Sequence, residues 1–71
     1  KGELFAYERA YEGQHLVVTF NTAQSERQLH LSLADPVQRA TLLFGEGQEQ
    51  IAGGVLTVTL PARTGAVWQI Q

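Results

Sequence analysis

The chain has 71 residues, room for one domain and one small core, since chains of this size bury only about 60% of the surface their unfolded form exposes. It contains no cysteine, which excludes disulfide staples and thiolate metal ligands, so the core must come from packing alone or from packing plus a partner surface. Apolar residues are 44% and charged residues 17% of the chain, a globular composition; the net charge is −2, and the basic residues Lys1, Arg9, Arg27, Arg39 and Arg63 are too scattered to form a phosphate-neutralising patch for nucleic acid.

From the N-terminus onward the dominant period is two, the period of strands with one buried face. Segment 4–11 reads as a strand, because Phe5 and Tyr7 alternate with Ala6 and Glu8, although Glu, Leu and Ala also favour a helix over Leu4 to Arg9. Glu12-Gly13 is a turn. In 15–21 the residues Leu16, Val18 and Phe20 alternate with Val17 and Thr19, and the first set is expected to be the buried stripe. Asn21 to Ser25 is a polar connection. In 27–33 Leu29, Leu31 and Leu33 alternate with His30 and Ser32, and Asp35-Pro36 ends that run. Segment 39–44 stops at Gly45-Glu46-Gly47, and a short strand at 49–52 leads through Gly53-Gly54, a tight two-residue hairpin, to 55–60. Leu56, Val58 and Leu60 alternate there with Thr57 and Thr59, Pro61 closes the strand, and Ala66, Trp68 and Ile70 alternate with Val67 and Gln69 in 64–70. Short strands separated by Gly, Pro and Asn signals predict an all-β fold. We expect a small antiparallel β-sandwich of about seven strands, Greek-key in type, with 1–71 as a single domain.

The longest apolar runs, Leu16-Val17-Val18 and Thr41-Leu42-Leu43-Phe44, are far shorter than the roughly 20 apolar residues of a membrane helix, so no membrane partner is expected. No leader peptide is visible, and an opening on Lys1-Gly2-Glu3 without any methionine leads us to expect an excised fragment, which carries no signal of compartment.

The residues offer little reactive chemistry. The one aspartate, Asp35, precedes Pro36 and reads as a turn residue. His15 and His30 lack the spacing or company of a zinc site, so no metal or cofactor is expected. Ser25 and Ser32 sit outside any nucleophile elbow, and Gly45-Glu46-Gly47 lacks the Lys-Ser or Lys-Thr of a phosphate cradle. The glutamates lie mostly in or beside turns, where carboxylates are solvated. No catalytic residue is therefore assigned, and the chain is expected to be non-catalytic.

The order Phe5-Ala6-Tyr7-Glu8-Arg9, then Leu16-Val17-Val18-Thr19-Phe20-Asn21-Thr22, then Leu60-Pro61 running to Ala66-Val67 resembles the C-terminal β-domain of α-amylase superfamily glycoside hydrolases. Neopullulanase-like, cyclomaltodextrinase-like and α-glucosidase-like parents share this pattern. The resemblance implies an accessory domain that packs on the catalytic (β/α) barrel of the same polypeptide, covers part of its apolar surface, and in some members assists polysaccharide binding. The barrel carries the catalytic groups in that family, so none transfers to these positions.

Two sets of residues follow for testing. Barrel packing requires an apolar outer face, and Val17, Leu43 and Val67, each out of phase with its strand's main stripe, are the expected members. The excised domain is then expected to be marginally stable or to self-associate. A starch- or maltooligosaccharide-binding module would instead need exposed rings, for which Tyr11 with Tyr7 or Trp68 are the candidates, although Trp68 shares a face with Ala66 and Ile70 and so reads as core. An unrelated immunoglobulin-like interaction domain is the third alternative, without the Cys…Trp…Cys pattern of true members.

Overall fold

The structure, a computed structural model, describes residues 3–71. Its strands are β1 (Leu4–Tyr11), β2 (Gln14–Asn21), β3 (Arg27–Leu31), β4 (Ala40–Gly45), β5 (Gln48–Ala52), β6 (Val55–Leu60) and β7 (Thr64–Ile70). They form a four-stranded sheet in the order β1-β2-β7-β4 and a three-stranded sheet in the order β3-β6-β5, every pairing antiparallel. The chain is all-β, as its alternation requires, and the segment at 4–11 is a strand throughout.

Two hairpins lie within sheets. Tyr11 pairs with Gln14 across Glu12-Gly13, and Ala52 pairs with Val55 across Gly53-Gly54. Both turn residues are left-handed in each case, with φ of 49° and 81° in the first turn and 59° and 79° in the second. That is the turn whose twist matches a two-residue hairpin. Every other connection crosses between sheets, so β3 returns beside β6 and β7 inserts between β2 and β4, the strand exchange of a Greek key.

The core lies between the sheets. Leu56, Val58 and Leu60 of β6 face Ala66, Trp68 and Ile70 of β7, with Val17, Ala40 and Val37 completing the cluster and Leu31, Leu33 and Ile51 packed at its margin. Both of these stripes follow the sequence alternation. The second strand does not. Val17, Thr19 and Asn21 are the buried set, while Leu16 and Val18 are half-buried and Phe20 is exposed.

A polar network explains that reversal. The Trp68 indole N–H donates to Thr19 Oγ1 at 3.0 Å, and the Thr19 hydroxyl donates to the Ala66 carbonyl at 3.1 Å. The Asn21 amide donates to the carbonyls of Ser25, Leu60 and Pro61 at 3.0–3.1 Å, and its oxygen accepts from the Ala23 N–H at 2.9 Å. Buried polar groups persist only when partnered, and these side chains tie β2 to β7 and to the loops at one end of the sandwich. Among the described residues, no buried side-chain nitrogen or oxygen lacks a partner.

The fourth strand holds one irregularity. Leu42 pairs with Trp68 and Phe44 with Val67, so Leu43 is the extra residue of a β-bulge. The bulge moves Phe44 from the inward parity that alternation assigns it to the outer face.

Candidate interaction surface

The outer face of the four-stranded sheet follows from the register. Phe5, Phe20 and Gly65 lie in one row across β1, β2 and β7; Tyr7, Val18, Val67 and Phe44 lie in the next; Arg9, Leu16, Gln69 and Thr41 form the third. The first two rows are aromatic or aliphatic, glycine apart. Phe44 remains 72% exposed, Tyr7 50% and Phe5 46%, so large apolar side chains cluster in the open on this face.

Local packing orders this face. The Tyr7 and Phe20 rings stand 6.5 Å apart at a tilt of 37°. Gly65 is needed under Phe20, since a Cβ there would come within 3.0 Å of the ring. The Arg9 guanidinium lies 5.9 Å from the centre of the Tyr7 ring, within range of a cation–π contact.

The outer face of the three-stranded sheet has the opposite character. Gln28, Thr59 and Gln48 form one row and His30, Thr57 and Gln50 the next. His30 Nδ1 and Thr57 Oγ1 are 2.9 Å apart, and the Gln28 amide donates to Thr59 Oγ1 at 3.4 Å. This face can satisfy water along its whole width.

The expected packing residues divide accordingly. Val67 lies at the centre of the apolar face and is half-buried, and Leu43 is 44% exposed in the bulge. Val17 is a correction: at 1% exposure it belongs to the core, because the hydrogen bonds of Thr19 and Asn21 turn that parity inward. The face instead gains Leu16, Val18 and Phe20 from β2 and Phe44 from β4. The sequence signal for the β2 members was the run Leu16-Val17-Val18, apolar on both parities, which marks a strand covered on both sides.

Of the proposed sugar-contacting rings, Tyr7 and Tyr11 share the outward parity of β1 and Trp68 does not join them. Trp68 is fully buried and cannot offer a ring to a ligand, again because its indole is held by Thr19 inside the sandwich. Tyr7 belongs to the apolar face described above. Tyr11 is 68% exposed beside the β1–β2 turn.

Among the described residues the closest approach of titratable groups is His15 Nε2 to Glu8 Oε2 at 2.6 Å. Both sit on the inward side of the four-stranded sheet near its β1 edge, where the narrower opposing sheet leaves them open to solvent: Glu8 pairs with Val17, and His15 shares that residue's parity. Among the described residues no group of three or more His, Cys, Asp or Glu side chains is placed to hold a metal.

Comparison with curated proteins gave no match. Among solved structures, the fold is similar to part of "Crystal structure of alpha-amylase from H.orenii", with a TM-score of 0.73 and 22% identity over 96% of this chain. The chain spans 14% of the length of that enzyme. Residues 2–68, nearly the whole sequence, match the model of the maltogenic amylase C-terminal domain, and the chain belongs to that family.

Proposed function

We propose that residues 1–71 form a non-catalytic accessory domain that stabilises the catalytic (β/α) barrel of an α-glucan-acting, α-amylase-type glycoside hydrolase by packing against it. The observation that carries this reading is the contrast between the two outer faces. One is built from Phe5, Tyr7, Val18, Phe20, Phe44 and Val67, the other from Gln, Thr and His. Burial of a large apolar side chain contributes about 1.5–3 kcal/mol, so covering even two of these rings repays much of the ordering of a small domain against its neighbour. Domain interfaces within one chain bury roughly 600–1,500 Å², an area that a face of three rows across four strands can supply.

The test is thermal melting of the barrel-bearing polypeptide. Phe44→Ser should lower its stability by about 1.5–3 kcal/mol, while Thr57→Lys on the polar face should leave it unchanged. Equal melting of wild type and Phe44→Ser would remove packing as the domain's role. Titration with maltoheptaose, followed by amide shifts at Tyr11, separates packing from sugar binding; saturable shifts there would point to a glucan module instead.

A further inference from the structure

The two edges of the four-stranded sheet differ in what they expose. On the inward side of β1, Leu4 is half-buried, and the open positions are two alanines and a carboxylate, Ala6, Ala10 and Glu8. His15 bonds that carboxylate, and the exposed Glu12-Gly13 turn follows. Water can satisfy this edge. The β4 edge is apolar on both sides of the strand. Leu42 shares the inward parity of Trp68, Leu43 is the extra residue of the bulge, and Phe44 shares the outward parity of Val67. These three consecutive side chains are 38%, 44% and 72% exposed. A regular edge strand would alternate, so the bulge is what carries the apolar surface round the corner of the sheet. A bulge also disturbs the row of N–H and C=O groups along an edge, so β4 offers side chains rather than a template for an added strand.

Charge does not choose between the edges. Glu3, bonded to Thr22, and Glu46, whose N–H donates to the Gly65 carbonyl, stand at one end of the outer face, with Arg9 and Arg39 at the other. The apolar surface does choose. A body that covered the outer face alone would leave Leu42 and Leu43 in water beside it. The chain belongs to a family of C-terminal domains and spans 14% of the length of a similar enzyme, so the neighbour at hand is the rest of a longer polypeptide. Tethering holds such a neighbour at a high effective concentration, which favours it over a second copy. We infer that the barrel covers this sheet off-centre: it takes the outer face, reaches round the β4 edge to enclose Leu43 and the exposed part of Leu42, and leaves the inward side of β1 and the Glu12-Gly13 turn in solvent. The inference rests on the packing reading above and adds its direction.

The experiment uses the barrel-bearing polypeptide. Leu43→Ser should shorten its half-life at elevated temperature several-fold, as Phe44→Ser does, whereas Ala10→Ser should leave it unchanged. Leu43→p-benzoylphenylalanine and Ala10→p-benzoylphenylalanine, irradiated and mapped by peptide mass spectrometry, read the contact itself: position 43 should join barrel peptides and position 10 should not. If Phe44→Ser destabilises but Leu43→Ser behaves as Ala10→Ser, position 43 yields no product, or position 10 joins the barrel, the off-centre contact is overturned and packing stands. A product joining position 43 to a second copy of this domain assigns the edge to self-association and overturns the inference as well. If Phe44→Ser has no effect, both readings fall together.

Discussion

The Thr19 hydroxyl occupies a position where a methyl group would fit equally well by volume, yet the indole N–H of Trp68 ends on it at 3.0 Å inside the core. Thr19→Val keeps the shape and removes the acceptor, leaving a buried donor unsatisfied. That costs about 1–3 kcal/mol, whereas Thr19→Ser retains the hydroxyl and loses little more than one methyl group. Urea midpoints of the three proteins, read by Trp68 fluorescence, should rank wild type, then Ser, then Val. A Val variant as stable as wild type would show that the bond contributes nothing. Residues of this kind were the hardest to read from sequence. Thr19 looked like a solvent-facing member of an alternating strand, because polarity alone does not reveal a partner brought in from a strand almost fifty positions away.

The strands themselves were largely legible. The runs at 55–60 and 64–70 have one apolar and one polar parity and fold with those bounds. The hairpin turns were legible too, since Gly53-Gly54 and Glu12-Gly13 carry the residues that left-handed turns favour. Two elements were not. In β2 both parities are apolar in part, and period two chose the wrong one: Leu16, Val18 and Phe20 were expected inside, where Val17, Thr19 and Asn21 lie. In β4 the bulge shifts the register by one between Leu42 and Phe44, which no alternation can foretell. Gly45 makes that irregularity possible. Its φ is +88°, and a Cβ there would sit 2.0 Å from the Gly65 carbonyl oxygen. Gly45→Ala should therefore destabilise by more than the roughly 1 kcal/mol of an ordinary glycine substitution and loosen the β4–β7 pairing, seen as faster amide exchange in both strands. Gly53→Asn has open space around it and a turn that accepts Asn, and should be nearly neutral. Matching effects for the two variants would contradict this account of the bulge.

At the scale of the whole molecule the sandwich is lopsided: four strands oppose three, and one outer face is aromatic while the other is polar. The family resemblance in the sequence anticipated an apolar face, and the alternation anticipated the two-layer core. Which residues make that face depended on β2 and β4, where alternation failed, so of the expected packing residues Val17, Leu43 and Val67 the first lies in the core instead.

The mismatch in width has a further result at the β1 edge. Glu8 sits on the inward side of the edge strand β1, its carboxylate 2.6 Å from His15 and wetted by solvent. The free backbone of β1 invites another extended segment to zip onto it, and such growth would trap that anion under a new layer of protein. Inward-pointing charges on edge strands oppose such growth. Glu8→Val should shorten the lag of thioflavin-positive aggregation several-fold, and an unchanged lag would assign the protection elsewhere.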